Sequence, residues 1–108
     1  MSWPTVGEIY WAPSHLFPRD PESGRPLVVV ETPQTELDRV EVITRTHDLS
    51  VRGIRHFADP ENGCNLAGVF ALKHLHRINF DDFLRYTKFL GWLRPDVLDR
   101  VLEMWRNG

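Results

Sequence analysis

The sequence predicts a β-rich α+β fold, a small, partly open β-barrel with one helix packed on it. Three observations carry that reading. Short β-branched and aromatic runs recur between turn residues over most of the chain. Prolines punctuate the first third, at Pro4, Pro13, Pro18, Pro21, Pro26 and Pro33, with two strand-like runs between them. One clean helical period comes only near the end. At 108 residues, a single domain over 1–108 with one modest core is expected.

The elements follow in order. Residues 6–12 (VGEIYWA) and 27–32 (LVVVET) read as strands, and the proline-rich stretch 13–25 between them reads as a long loop. In residues 39–46, Val40, Val42 and Thr44 alternate with Glu41, Ile43 and Arg45, the pattern of a half-buried strand. Residues 51–57 form a weaker strand candidate, interrupted by Gly53. Asp59-Pro60-Glu61-Asn62-Gly63 is a turn signal, and residues 68–75 return to strand character. Residues 79–93 support two readings. Asn79 caps a helix over 80–90, or residues 86–93 alternate as a strand, Gly91 weakening a helix there. Pro95 and Asp96 then open a helix to about residue 106, with Val97, Leu98, Val101, Leu102 and Trp105 on one apolar face.

Composition narrows the functional classes. The hydrophobic fraction of 42% and net charge of −2 are those of a globular protein and argue against a non-specific nucleic-acid coat. Apolar runs are too short to cross a bilayer, so no membrane partner is expected. The opening residues lack a basic segment followed by an apolar stretch. A single cysteine, Cys64, excludes an intrachain disulfide and any multi-cysteine zinc site, and a reducing cytoplasm fits it. Charge is uneven: residues 1–38 sum to −4 and residues 39–56 to +2. Eleven of the 13 basic residues are arginine, whose planar fork suits phosphate and stacks on bases.

Four pieces recur together in order: Gly7-Glu8-Ile9-Tyr10-Trp11, then Gly24-Arg25-Pro26-Leu27 with its valines, then residues 40–44, then residues 68–72 leading to Arg77-Ile78. In this order the chain resembles the MazF/PemK family of toxin endoribonucleases, over residues 6–105. The Arg-Pro pair ahead of an apolar strand is its most specific element. The resemblance implies an SH3-like barrel of the MazF/PemK/CcdB type and metal-independent cleavage of single-stranded RNA. It also implies a cognate antitoxin and a homodimer. No cofactor and no metal are expected.

By position, the family's catalytic arginine and threonine correspond to Arg25 and Thr44, and its loop glutamate to Glu22. Arg25 would stabilise charge growing on the phosphate, Thr44 would hydrogen-bond it, and Glu22 would move a proton. Phe17, between prolines, is the candidate for stacking on bases. Arg45, His47, Arg52 and Arg55, with His74, are the candidate RNA contacts. His74 and His76 share a strand face, but no third metal ligand accompanies them. The chain departs from the family at its proline-rich loop, at Ala67, and at Arg45-Thr46-His47 after the threonine. The target sequence is therefore not carried over. The same barrel serves the gyrase poison CcdB, which acts through a C-terminal helix ending in tryptophan. Here Arg106, Asn107 and Gly108 follow Trp105. A non-catalytic barrel, gyrase-poison-like or binding RNA or protein, is the alternative expectation.

Overall fold

The structure, a computed structural model, describes residues 3–17 and 24–108. Six strands form one curled, antiparallel half-barrel sheet: β1 (Glu8–Pro13), β2 (Gly24–Glu31), β3 (Val40–Thr46), β4 (Ile54–His56), β5 (Gly68–Ile78) and β6 (Lys88–Trp92). Their order is β4-β5-β3-β2-β1-β6. Helix α1 (Phe80–Tyr86) lies between β5 and β6, and helix α2 (Pro95–Asn107) closes the chain. Among the described residues, no helix is long and apolar enough to cross a membrane.

Alternation along the strands gives the sheet two covered faces. On the first, Tyr10, Leu27, Val29, Val40, Val42 and Ile78 pack with Phe80 and Phe83 of α1. Phe17, just after the 3-10 turn Ser14–Leu16, completes that cluster. On the second, Ile9, Val28, Val30, Ile43 and Phe70 pack with Val97 and Val101 of α2. Burying each of those two helix valines contributes about 1.5–3 kcal/mol. Strand β3 is buried at every position because both of its faces are covered.

The two readings of residues 79–93 are each half right. Asn79 caps α1, its Oδ1 accepting from the amides of Asp81 (2.9 Å) and Asp82 (3.4 Å). The helix stops at Tyr86, and Thr87 turns its hydroxyl back onto the Phe83 carbonyl at 2.6 Å. Strand β6 then runs along β1, Tyr10 opposite Phe89 and Glu8 opposite Trp92. Strand β2 starts at Gly24, earlier than the apolar run suggests. Pro26 is tolerated because pairing with β3 begins only at Leu27, so at Pro26 the ladder is to β1. Strand β4 is shorter than residues 51–57, and β5 is longer than residues 68–75.

Arg45 is a buried clamp. It points to the second face, is 1% exposed, and its Nε donates to His56 Nδ1 at 3.0 Å. Its Nη2 donates to the carbonyls of Leu66 (2.5 Å), His56 (3.3 Å) and Phe57 (3.4 Å). Gly68 makes room for it: a Cβ there would lie 2.6 Å from the guanidinium carbon. Because arginine always donates, His56 Nδ1 must be unprotonated. Burial first, and Arg45 second, hold the His56 pKa below its usual range, while Asp59, 3.6 Å from Nε2, acts in the opposite direction. The buried Cys64 belongs to the same region, its backbone bridged to Asp59 in both directions.

Two outcomes follow. Arg45→Ala strands the Leu66 carbonyl and the His56 ring, and should lower unfolding free energy by more than about 2 kcal/mol in a urea titration. His56 binds a proton more readily unfolded than folded. Its contribution is therefore full above about pH 6.5 and lost as pH falls from there through the lower folded value. The stability gap between wild type and His56→Gln should narrow below pH 6.5, and a constant gap would refute a neutral, buried His56.

Candidate active site

Arg25 enters the sheet at the start of β2, opposite Ala12 of β1. Two residues on, Leu27 stands directly opposite Thr44 of β3. Arg25 and Thr44 therefore share the first face at diagonal positions, where Cβ atoms lie roughly 7–8 Å apart. Both are enclosed, Arg25 at 7% exposure and Thr44 at 1%.

A register shift shapes the ground beside Thr44. Ile43 pairs with Leu75 and Arg45 with Phe70, so residues 71–74 of β5 face the single residue Thr44. Bulges of this kind re-aim side chains, and they concentrate near functional sites. The Thr44 hydroxyl donates to the His74 carbonyl at a long 3.5 Å. One pair further along, His76 stands opposite Val42, and its ring meets Phe17 at 4.7 Å between centroids.

The remaining candidates divide. Thr46 pairs with Val69, and Val69 with Arg55, so Arg55 lies on the same face as Thr44, two strands away. It is exposed, as are His47 and Arg52 in the turn that precedes β4. Arg55 also donates to the Leu49 carbonyl at 3.4 Å. Two assignments need correction. Phe17 is not a platform for bases, because its ring is 1% exposed and packed in the first-face core. Arg45 is not an RNA contact, because it faces the other side of the sheet and is consumed by the clamp on His56 and Leu66. Glu22 lies outside the described residues.

Tyr10 joins the same row, opposite Leu27, and its hydroxyl donates to Glu8 Oε1 at 3.2 Å. Burial, then the Glu8 charge and hydrogen bond, push its pKa up to about 12, so it is a fixed donor rather than a base. Among the described residues, no three His, Cys, Asp or Glu side chains converge in a metal-binding group. The site offers a guanidinium, a hydroxyl and a nearby imidazole on one face, which suits binding an anion and stabilising charge on it.

No protein-family model matches the sequence, and no curated protein matches it either. Among solved structures, the fold is similar to a chain of the MazE–MazF complex from Deinococcus radiodurans, with a TM-score of 0.69 at 16% identity. The match covers 99% of this chain and 95% of that one. At that identity the likeness speaks for the fold: this chain has a MazF-like barrel with a C-terminal helix.

Proposed function

We propose that the protein is a toxin endoribonuclease that cuts single-stranded RNA without a metal and is held in check by an antitoxin protein. The observation that carries this reading is the placement of Arg25 and Thr44 on one face of adjacent strands, beside the β5 bulge at His74. The two residues that the MazF/PemK resemblance implies as catalytic lie on one face of adjacent strands, on a fold similar to a chain of a MazE–MazF complex.

The chemistry is transfer within the RNA. The ribose 2′-oxygen loses its proton and attacks phosphorus. The bond to the 5′-oxygen breaks, and that oxygen takes up a proton. Arg25 stabilises the charge that builds on the non-bridging oxygens, and Thr44 donates a hydrogen bond to the same phosphate. Glu22 is the candidate base, and His74, whose backbone carbonyl accepts from the Thr44 hydroxyl, is a candidate RNA contact. Arg55, with His47 and Arg52 beyond it, extends positive charge along the exposed rim.

The solved neighbour was captured as a MazE–MazF complex. An antitoxin covering the same face of this chain is the corresponding partner, and the homodimer implied by the MazF/PemK resemblance is the proposed assembly. Light scattering at micromolar concentration should give twice the 12.6 kDa chain mass. A monomer would remove the dimer from the proposal.

The deciding test is cleavage of a long single-stranded RNA in EDTA by wild type, Arg25→Ala and Thr44→Ala. Wild type should cut at discrete sites. Loss of one charge-stabilising contact costs on the order of 3–4 kcal/mol, so Arg25→Ala should be slower by 10²-fold or more. Wild-type rates in Arg25→Ala would sink the catalytic assignment. A folded wild type that cuts nothing would favour the non-catalytic barrel.

A further inference from the structure

A second feature adjoins the first face and is absorbed by nothing above. A groove of about 450 Å³ opens between the Ser14–Leu16 turn and α1, walled by His15, Arg39, Arg77 and Tyr86, with Ile78 at its floor. These residues come from separate elements: the 3-10 turn, the residue before β3, the end of β5 and the end of α1.

Resting on the endoribonuclease reading, we propose that this groove holds the RNA strand a few nucleotides away from the scissile bond, with Arg39 and Arg77 on phosphate and the His15–Tyr86 pair on a base. The two rings meet edge to face, centroids 4.5 Å apart and planes at 89°. The Arg85 guanidinium carbon also lies over the Tyr86 ring, 5.8 Å from its centroid, so a base joins the pair by displacing that contact. Both residues are exposed. Arg77 is preset: its Nε donates to Glu41 Oε1 at 2.8 Å, yet its side chain remains 65% exposed. Arg39 is exposed on the same wall. Beyond the two arginines the surface turns acidic through Glu31, Asp38 and Glu41, so an anion's place is on the α1 side. Asp82 is the one carboxylate among the lining residues of the groove.

The groove is in line with Arg25 and Thr44. Ile78 is four residues along β5 from His74, on the order of 13 Å at a rise of about 3.3 Å per residue. Leu16, next to the core residue Phe17, lines the groove from the turn. Two arginines alone would suit an acidic peptide equally well. The accessible pair of rings beside them favours a polymer with both phosphates and bases.

The test uses full-length protein and a fluorescein-labelled, fully 2′-O-methylated octanucleotide, which binds but lacks the attacking hydroxyl. Anisotropy titrations at several salt concentrations compare wild type, Arg39→Ala, Tyr86→Ala and Tyr86→Phe. Arg39→Ala should weaken binding and reduce the slope of log affinity against log salt by about 0.7. Tyr86→Ala should weaken binding at least about fivefold, and Tyr86→Phe should keep wild-type affinity, because stacking needs the ring and not the hydroxyl. If wild type binds and both alanine variants match it in affinity and salt slope, the groove assignment falls and the endoribonuclease reading stands. If wild type binds no octanucleotide yet cuts the long RNA, the groove assignment falls alone; if it does neither, both fall. If the variants keep RNA affinity but lose an acidic peptide, the groove belongs to a protein partner and the RNA assignment is overturned.

Discussion

Strand β5 pairs with β3 in two registers, and everything at the candidate site follows from how they are joined. One register matches Ile43 to Leu75 and the other Arg45 to Phe70, which leaves three more residues on β5 than β3 can pair. The surplus falls at Thr44. Beyond it, β5 is free to meet β4 with Ile54 opposite Phe70. Before it, β5 runs to Ile78 and delivers the chain to the Asn79 cap of α1. A regular ladder would have set Thr44 against one side chain. The bulge sets it against the His74 carbonyl, at the boundary between two well-packed stretches.

The two faces of β3 show how strictly alternation is enforced. Thr44 and Arg45 are neighbours in sequence, both polar and both buried. One belongs to the face that carries the candidate chemistry. The other is locked on the opposite face, where it replaces ladder hydrogen bonds for the irregular segment between β4 and β5. A buried guanidinium is tolerated because carbonyls and an imidazole satisfy it. Its role is to give a loop with little secondary structure a defined path against the sheet.

Much of this was legible in the sequence, for physical reasons. Strands β1, β2 and β3 and helix α2 each bury a face, and burial writes its period into the residues. The span 79–93 was ambiguous because α1 is only two turns long and β6 follows it after a single residue, Thr87. At the site, Arg25 and Thr44 stood out through the resemblance to the MazF/PemK family, in whose order they fall. Phe17 and Arg45 were misread for opposite reasons. A phenylalanine between prolines suggests an exposed loop, and arginine is ordinarily a surface residue. Neither residue type announces that a turn folds back onto the sheet or that Gly68 leaves space for a guanidinium. His15, Arg39 and Tyr86 were not found, because they are brought together only by the packing of separate elements.

The bridge between Asp59 and Cys64 carries a practical consequence. The Cys64 thiol is 1% exposed, and burial pushes its pKa up, so in the folded protein it is shielded from alkylating reagents and poorly ionised. It sits against the core contacted by α2 and within the segment that Arg45 restrains. Labelling of this one sulfur therefore keeps time for the opening of that corner of the molecule, independently of the face that carries Arg25 and Thr44. The protein contains its own clock for local unfolding, with a single hand.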